Sequence, residues 1–437
     1  MNHDFEDYAQ GFRFDSFSGD SFDASLAYIP EAIDCQRCGY CLRGCPTYKV
    51  KAEENYSPRG RIRLIERLIR KNEVLNDDEL VALKSCTLCR ACETVCPSKM
   101  DFNELYRQAL IASTSRPRKG LAHTFMLSIF VERRPLPRFL NALIHTYQKS
   151  GMSRLVQKLP GSWPIDGFKQ LSALLPVPYI SKTVPHHAKA LPPVHHGDVV
   201  LFTGCVAKVL DTQTHTATIK LLTRLGYGVR TLAQQTCCGA MHAHDGDVER
   251  AKGLARTNIN AFSQSGACAV LYNSSGCGAF LSEYDTLLND EKSDAPSAPP
   301  PPIIDILDFL LEEGQIGKLS FQGLKTKVAV HEPCSQRNVL KSQDLIYTAL
   351  AQIPDLDIVA LANNAMCCGA GGTQMMTQPE LASPLRDEKV QALLDSEAEI
   401  LLSTNLTCAL HLAQGVRETG RNILAMHPVT LLAQQMI

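Results

Sequence analysis

The C-terminal half of the chain alternates short apolar runs with longer segments whose apolar residues recur at helical spacing. The stretch DVVLFTGC, residues 198–205, predicts a buried strand, and TQTHTATIKLLTRLGYG predicts a following helix that stops at glycine. Further strands are predicted at VRTL, ACAVLYN, KVAVHEPC, LDIVAL and AEILLSTNLTC, with helices between them. This alternation predicts parallel sheets flanked by helices.

The N-terminal part has a different pattern. GRIRLIERLIRKNEV and DDELVALKSC carry Ile and Leu at helical spacing, which predicts helices. The predicted fold is α+β overall, with an N-terminal helical domain followed by two α/β repeats. The predicted segments are an acidic arm (1–34), a cysteine-bearing domain (35–115), a basic helical connector (116–197), a first α/β repeat (198–292), a Pro-rich linker (293–303) and a second α/β repeat (304–437).

The uneven distribution of charge along the chain predicts two docking surfaces. The 437 residues have a formal net charge of -1, which favours no nucleic acid partner. Residues 2–34 hold eight acids and one base, and residues 107–158 hold ten bases and one acid. The basic stretch predicts packing against a partner subunit or a peripheral contact with anionic lipid. No signal peptide and no apolar run of membrane-spanning length is found, so we expect a cytoplasmic protein, or one peripheral on the inner face of the plasma membrane.

The seventeen cysteines are the most informative feature of the sequence. CQRCGYCLRGCP (35–46) and CTLCRACETVCP (86–97) share the spacing C-x2-C-x2-C-x3-C-P, which is typical of bacterial ferredoxins with two [4Fe-4S] clusters. In that arrangement the fourth cysteine of each row ligates the other cluster. The first cluster is therefore assigned to Cys35, Cys38, Cys41 and Cys96, and the second to Cys86, Cys89, Cys92 and Cys45. Two four-cysteine zinc sites are the alternative.

A second cysteine pattern is duplicated in the C-terminal half. Each copy has one cysteine at a predicted strand end, a Cys-Cys-Gly (CCG) triplet after 31 or 32 intervening residues, and a further cysteine after another 38 or 39 residues that follow the second cysteine of the triplet. The copies comprise Cys205, Cys237, Cys238 and Cys277, and Cys334, Cys367, Cys368 and Cys408. Strand ends in α/β sheets meet at one edge, so each set is expected to converge on a metal centre in a domain of pseudo-twofold symmetry. Cys268 has no counterpart and is predicted to be an ordinary core residue.

Two ferredoxin rows followed by two CCG repeats resemble the iron–sulfur subunits of heterodisulfide-reductase-related oxidoreductases, and in particular the glycolate oxidase (glycolate dehydrogenase) iron–sulfur subunit family. The resemblance rests on CGYCLRGCPTY, SPRGRI (57–62), CTLCRACETVCPS, SGCGAF (275–280) and CCGAGGT. It implies a ferredoxin-type domain with two [4Fe-4S] clusters, and one further iron–sulfur cluster, or two, at the CCG repeats. It also implies FAD-containing partner subunits that oxidise glycolate to glyoxylate, with quinone as final acceptor.

One departure from that family pattern concerns the CCG repeats. In heterodisulfide reductase subunits each repeat closes with CxxC, whereas Ser274 and Asn405 occupy the first position of that pair here. Four cysteines per repeat still suffice for a [4Fe-4S] cluster, and disulfide-splitting chemistry is disfavoured.

The combined prediction is an electron conduit with no catalytic residue of its own, inactive without its partners. The alternatives are the iron–sulfur subunit of a D-lactate or glycerol-3-phosphate dehydrogenase, and a CCG-type disulfide reductase subunit. His331, His242 and His244 lie close to CCG cysteines and are candidates to contact a cluster or protonate a quinone, or are plain polar surface. Arg59, Arg61 and Arg63 either offset the charge of the thiolates or form a solvated helix face.

Overall fold

The computed structural model describes residues 35–113, 184–288 and 298–437, with scattered positions between 146 and 175. The predicted acidic arm lies outside the described residues, as does most of the predicted basic connector, including FMLSIFV. Residues 293–297 of the predicted Pro-rich linker also lie outside them.

The unit formed by residues 35–113 consists of helices joined by cysteine-bearing loops. Its helices are α1 (Pro46–Lys51), α2 (Pro58–Ile69), α3 (Asp77–Lys84), α4 (Ala91–Thr94) and α5 (Phe102–Ser113). Helix α2 begins where the Ser57 hydroxyl accepts a hydrogen bond from the Gly60 amide at 3.0 Å. Leu64 and Leu105, which are both buried, belong to an apolar core against which cysteines of both rows pack. That core fixes the position of the cysteine loops.

A five-stranded sheet forms the next unit. Its strands are β1 (His187–Ala188), β2 (Asp198–Phe202), β3 (Gly228–Arg230), β4 (Ala269–Tyr272) and β5 (Ile303–Asp305), in the spatial order β1-β3-β2-β4-β5. Strand β1 is antiparallel to β3, and the other neighbours are parallel. The accompanying helices are α6 (Ala207–Leu210), α7 (Thr212–Arg224), α8 (Ala240–His244), α9 (Val248–Ser263), α10 (Ser275–Leu281), α11 (Tyr284–Leu288) and α12 (Ile306–Leu311).

A four-stranded parallel sheet forms the last unit. Its strands are β6 (Lys327–His331), β7 (Asp357–Ala360), β8 (Ile400–Ser403) and β9 (Leu424–Met426), in the order β7-β6-β8-β9. A 3-10 helix (Glu312–Lys318) precedes it, and a π-helix (Ser335–Leu340) follows β6. Its α-helices are α13 (Asp344–Leu350), α14 (Gln374–Thr377), α15 (Pro379–Asp395), α16 (Leu406–Glu418) and α17 (Pro428–Gln435).

The two sheets share one strand order once β1 is set aside. In each, the first strand in sequence lies between the second and the third, and the fourth lies at the edge. The mixed α/β architecture and the six strands expected from the apolar runs are confirmed. Strands β1, β5 and β9 were not predicted, and β5 spans the predicted boundary between linker and second repeat. Val199, Leu271, Val330 and Leu402 belong to one apolar core that joins both sheets.

Candidate metal centres

The four cysteines predicted for the first cluster line one cavity, called here the first dicluster site. Cys35, Cys38 and Cys41 come from the segment before α1, and Cys96 comes from the loop after α4. Burial raises the pKa of Cys41 to about 11, and the nearby charges of Cys35 and Cys45 add to the rise. A bound cation is therefore needed to hold such a thiol as thiolate near neutral pH, and thiolate is the form that binds iron.

The four cysteines predicted for the second cluster line a neighbouring cavity, the second dicluster site. Cys45 directly precedes α1, Cys86 and Cys89 lie in the loop between α3 and α4, and Cys92 lies in α4. Burial raises the pKa of Cys86 and raises that of Cys92 well above its usual range. Cys92 lines both cavities, so the two sites are adjacent. An all-thiolate donor set of this kind suits iron–sulfur clusters.

A buried arginine stands beside the second dicluster site. Arg61, in α2, is 1% exposed. Its guanidinium donates hydrogen bonds to Tyr56 O (2.7 Å), Ala82 O (3.0 Å), Ser85 Oγ (2.8 Å) and Thr47 Oγ1 (2.9 Å), and its Nη1 lies 3.9 Å from the Cys45 sulfur. The charges of Cys86 and Cys45 raise the pKa of Arg61 against the opposing effect of burial. This cation offsets thiolate charge where water cannot.

Arg59, Arg61 and Arg63, which the sequence analysis grouped together, differ in burial and in their partners. Arg61 is buried against the thiols, whereas Arg63 is exposed. Arg59 is paired with Glu54 at 2.6 Å near the surface. Of the two interpretations, charge compensation holds for Arg61 and a solvated face holds for Arg63.

All eight cysteines of the two CCG repeats line one cavity of about 180 Å³, called here the CCG cavity. Each repeat supplies a cysteine after its first strand, the CCG pair after its second, and a cysteine in the helix after its third. The carboxyl ends of parallel strands meet at one sheet edge, which explains the convergence. The sets are Cys205, Cys237, Cys238 and Cys277 (the first CCG centre), and Cys334, Cys367, Cys368 and Cys408 (the second CCG centre).

The glycine of each triplet brings its backbone amide to a cysteine sulfur. Gly239 N lies 3.4 Å from Cys237 Sγ, and Gly369 N lies 3.4 Å from Cys367 Sγ. Both glycines have positive φ, 99° and 85° respectively, which a residue with a Cβ rarely adopts. The local backbone therefore donates a hydrogen bond to the thiol in both repeats.

We expect Gly369→Ala to destabilise the second α/β repeat by about 2–4 kcal/mol, from backbone strain and overpacking together. An added Cβ would lie 2.6 Å from the Ala382 carbonyl oxygen. Gly420→Ala is the matched control, because Gly420 has a φ of 75° and nothing within 4 Å of its Cβ position. Urea unfolding followed by circular dichroism measures both. Equal losses for the two variants would show that the contact with Ala382 is irrelevant.

The second dicluster site touches the second CCG centre. Cys89, Cys334 and Cys367 pack in one apolar cluster. Two hydrogen bonds fix this contact: Asn338 Nδ2 donates to Cys89 O at 2.7 Å, and Gln374 Nε2 donates to a carbonyl of the same loop, Cys86 O, at 2.8 Å. The helical unit is thereby joined to the second α/β unit at the cysteines themselves.

The prediction for Cys268 was wrong. Its side chain is exposed, because β4 begins one residue later and Cys268 lies at the surface beside Gly197. Cys268 does not line any of the three cavities described above.

Comparison with known proteins agrees with this arrangement. A family model described as "4Fe-4S dicluster domain" matches residues 31–100, and one described as "Cysteine-rich domain" (CCG) matches residues 199–282 and 328–413. The chain is 32% identical to the probable glycolate oxidase iron-sulfur subunit of Bacillus subtilis, over 92% of this chain and 94% of the relative. The chain belongs to the glycolate oxidase iron–sulfur subunit family.

Two further relatives extend the comparison. The glycolate oxidase iron-sulfur subunit of Escherichia coli is 32% identical, over 89% of this chain and 91% of the relative. A subunit of the dihydromethanophenazine:CoB--CoM heterodisulfide reductase of Methanosarcina barkeri is 25% identical, over 95% of this chain and 96% of the relative. The chain is thus an iron–sulfur subunit of an oxidoreductase complex. Among the described residues, no helix has the length and apolar character needed to span a bilayer.

The two CCG centres of this family member differ in their surroundings. His331 is buried, its Nδ1 lies 3.1 Å from Ser403 Oγ, and a ring nitrogen lies within 4.8 Å of the Cys368 and Cys408 sulfurs. In the first repeat the equivalent position, three residues before the first cysteine, is Phe202. Among the three candidate histidines, His331 thus has a ring nitrogen close to cysteine sulfurs.

The other two candidate histidines differ in burial. His242 is buried in α8, and His244 is exposed and lines the CCG cavity. Sequence reasoning missed a fourth basic group, Lys389. Its Nζ donates to Asn363 O at 2.8 Å, and its side chain is buried.

Lys389 makes the second CCG centre more positive than the first. Burial lowers the pKa of Lys389, and the charges of Cys368, Cys367 and Cys408 oppose that shift. Asn258, which is uncharged, occupies the matching position of the first repeat, because Gly239 faces Ala251 as Gly369 faces Ala382, and Asn258 follows Ala251 by the same seven residues by which Lys389 follows Ala382. Ile259 is the next residue. Setting the repeats side by side on their cysteines would have revealed this difference from sequence alone.

Lys389→Met is expected to lower the reduction potential of the second CCG centre by an amount on the order of 50 mV, since the ammonium stabilises the more negative reduced cluster. A redox titration followed by EPR measures the shift. Ile259→Met, a change of similar size without charge, is the control and should leave every potential in place. An unchanged set of potentials in Lys389→Met protein with full iron content would contradict this account of the asymmetry.

Ser274 and Asn405 both line the CCG cavity, in the positions where a closing CxxC would begin. Asn405 caps α16 by accepting a hydrogen bond from the Thr407 amide at 3.1 Å, and its Nδ2 lies 3.4 Å from Ser335 Oγ. Ser335 Oγ in turn lies 2.9 Å from Ser275 Oγ of the first repeat, so Asn405 has a structural role at the junction of the two repeats.

Proposed function

We propose that this chain is the electron-transfer subunit of a glycolate dehydrogenase complex. A partner subunit with FAD takes a hydride from the hydroxyl-bearing carbon of glycolate while the hydroxyl loses a proton, which leaves glyoxylate. The two electrons then leave the flavin one at a time through this chain, because each iron–sulfur cluster carries a single electron. Quinone is the final acceptor, and being lipid-soluble it places the working complex at the inner face of the plasma membrane.

The cysteine assignments of this proposal follow the sets described above. The first dicluster site holds one [4Fe-4S] cluster and the second holds another. At least one CCG centre holds a further iron–sulfur cluster. Clusters supply one-electron redox chemistry, and the protein holds and orients them and tunes their charge through groups such as Arg61 and Lys389.

The observation that carries the proposal is the contact between Cys89 and the second CCG centre. Two adjacent dicluster sites meet the CCG cavity through packed cysteines, which supports one continuous route for electrons. We propose the order first dicluster site, second dicluster site, second CCG centre, first CCG centre.

The finer division of the chain belongs to the same proposal. Residues 35–115 act as a ferredoxin-type domain, and segments 198–292 and 304–437 act as CCG repeats joined by a Pro-rich linker at 293–303. The shared strand order supports a pseudo-twofold relation between the repeats. The acidic arm 1–34 and the basic connector 116–197 serve as docking surfaces for partner subunits.

The proposal is tested by anaerobic capture of the complex through a tag on this chain, with identification of co-purified flavoproteins. Glycolate, D-lactate and glycerol-3-phosphate are then each supplied with a dye acceptor. We expect an FAD subunit and dye reduction with glycolate. Dye reduction with D-lactate or glycerol-3-phosphate but never with glycolate would show that glycolate is the wrong substrate. Disulfide reduction by the chain alone would show that the chain is a disulfide reductase and not an electron-transfer subunit.

A further inference from the structure

A second large cavity adjoins the first CCG centre. It measures about 530 Å³ and lies between the two α/β units, with Cys277 in its wall, and is called here the interrepeat cavity. On the side of the second unit its wall includes apolar side chains from α16 and β9, such as Leu410, beside polar ones. The cavity is thus large enough for a small organic molecule and lies directly beside a predicted cluster ligand.

One buried histidine in that wall has an unsatisfied donor. The His215 ring is 2% exposed, and its Nδ1 lies 3.1 Å from Asn273 Nδ2. The Thr218 hydroxyl lies 3.0 Å from Asn273 Oδ1 and 2.9 Å from the Thr214 carbonyl oxygen, so its proton is shared between the two acceptors, and Asn273 Nδ2 faces His215 as a donor. With the Asn273 amide in this orientation, His215 Nδ1 accepts and the proton of the neutral imidazole resides on Nε2. The Thr203 backbone is near enough to act on the pKa of the ring, but among the described residues no group meets hydrogen-bond geometry at Nε2.

The neighbouring histidine shows the contrast. His427 also lines the interrepeat cavity, but its Nε2 donates to Asn273 O at 2.8 Å and its Nδ1 accepts from the Val429 amide at 3.1 Å. Burial lowers the pKa of His215 to about 4, so its ring is neutral at physiological pH. A neutral buried N–H without a partner favours a ligand with a neutral acceptor oxygen, such as a carbonyl.

The charges of the wall disfavour an anionic ligand. Asp211 and Glu399 both line the cavity. Arg417, which also lines it, donates a hydrogen bond to Ala173 O at 2.6 Å. Two carboxyl groups against one guanidinium, which already donates through Nη2, disfavour the carboxylate of a 2-hydroxy acid, whereas the apolar part of the wall and one neutral donor suit an uncharged ring with carbonyl groups.

We propose that the interrepeat cavity binds the headgroup of the quinone acceptor, with one quinone carbonyl oxygen accepting a hydrogen bond from His215 Nε2. This inference rests on the proposed function, which supplies the electrons. Two electrons cross singly from the first CCG centre, and two protons come from water, so that both carbonyl groups become hydroxyl groups. Asp211, whose pKa burial raises to about 6, lies in the same wall and can pass a proton to the reduced ring.

The test uses the full chain in its complex, with a fully substituted 1,4-benzoquinone bearing a short alkyl chain, which does not add to thiols. His215→Phe removes the donor and keeps a ring, so we expect the KM for quinone to rise about tenfold. His215→Gln restores an N–H donor and should recover part of the loss. Ala413→Leu narrows the cavity without touching His215 and should raise the same KM. His186→Phe, at an exposed histidine, is the control.

Two further readouts separate this inference from the proposed function. Equilibrium dialysis of the oxidised complex measures the Kd for the quinone directly, and we expect it to rise with KM in both cavity variants. Glycolate oxidation with the dye acceptor should be unchanged in all of them. Wild-type quinone affinity in His215→Phe and Ala413→Leu protein, with dye reduction intact, overturns the cavity assignment alone. Failure of glycolate to reduce the dye in wild-type complex overturns the function instead.

Discussion

Replacing Cys89 by alanine is expected to remove one cluster, roughly four iron atoms per chain, and to interrupt electron flow from glycolate to quinone. Cys89 lies at the contact between the second dicluster site and the second CCG centre. We expect quinone reduction to fall by at least roughly 100-fold, because loss of a group that only orients a ligand already costs about 10- to 100-fold. Iron and sulfide analysis and a quinone reductase assay measure the two effects.

Cys268→Ala is the control for that experiment. Cys268 is exposed and lies outside the dicluster sites and the CCG cavity, so its loss should change neither iron content nor activity. If Cys89→Ala protein retained the iron content and activity of Cys268→Ala protein, the ligand assignment at the second dicluster site would be wrong.

Arg61→Gln is expected to destabilise the dicluster unit by about 3–5 kcal/mol, which is the cost of breaking a buried charge interaction on one side. The guanidinium holds four oxygen acceptors and stands 3.9 Å from the Cys45 sulfur. Glutamine keeps one amide donor but loses the charge and most of the hydrogen bonds. We therefore also expect faster iron release from the second dicluster site during anaerobic urea unfolding.

Arg63→Gln is the matched change at an exposed arginine of the same helix. It should leave the urea midpoint and the iron release rate unchanged. Similar behaviour of the two variants would mean that Arg61 contributes only as a surface charge, contrary to its burial and contacts.

Much of this arrangement follows from sequence because cysteine spacing and strand periodicity are local signals. The C-x2-C-x2-C-x3-C-P rows fix which cysteines approach a common point, and the apolar runs mark β2, β4, β6 and β8. Parallel strands then bring their carboxyl ends together, so convergence of the CCG cysteines could be expected. Strands β1, β5 and β9 escaped prediction because each is an edge strand of only two or three residues, paired with a single neighbouring strand.

What sequence could not supply depends on contacts between distant segments. That both CCG sets line one cavity depends on how the two α/β units pack. The different environments of Arg61 and Arg63 depend on the packing of α2 against the cysteine loops. Lys389 lies 21 residues beyond Cys368 in sequence, yet α15 places its side chain beside three cysteine charges.

Thiolates that hold iron and sulfide are the basis of the proposed function, and one measurement tests them directly. Chain produced and purified without oxygen is analysed for iron and acid-labile sulfide, then reduced with dithionite and examined by EPR. We expect at least roughly eight iron atoms with matching sulfide, and two or more signals from reduced [4Fe-4S] clusters. Colourless protein that contains zinc, or no metal and no sulfide, would contradict the proposed function.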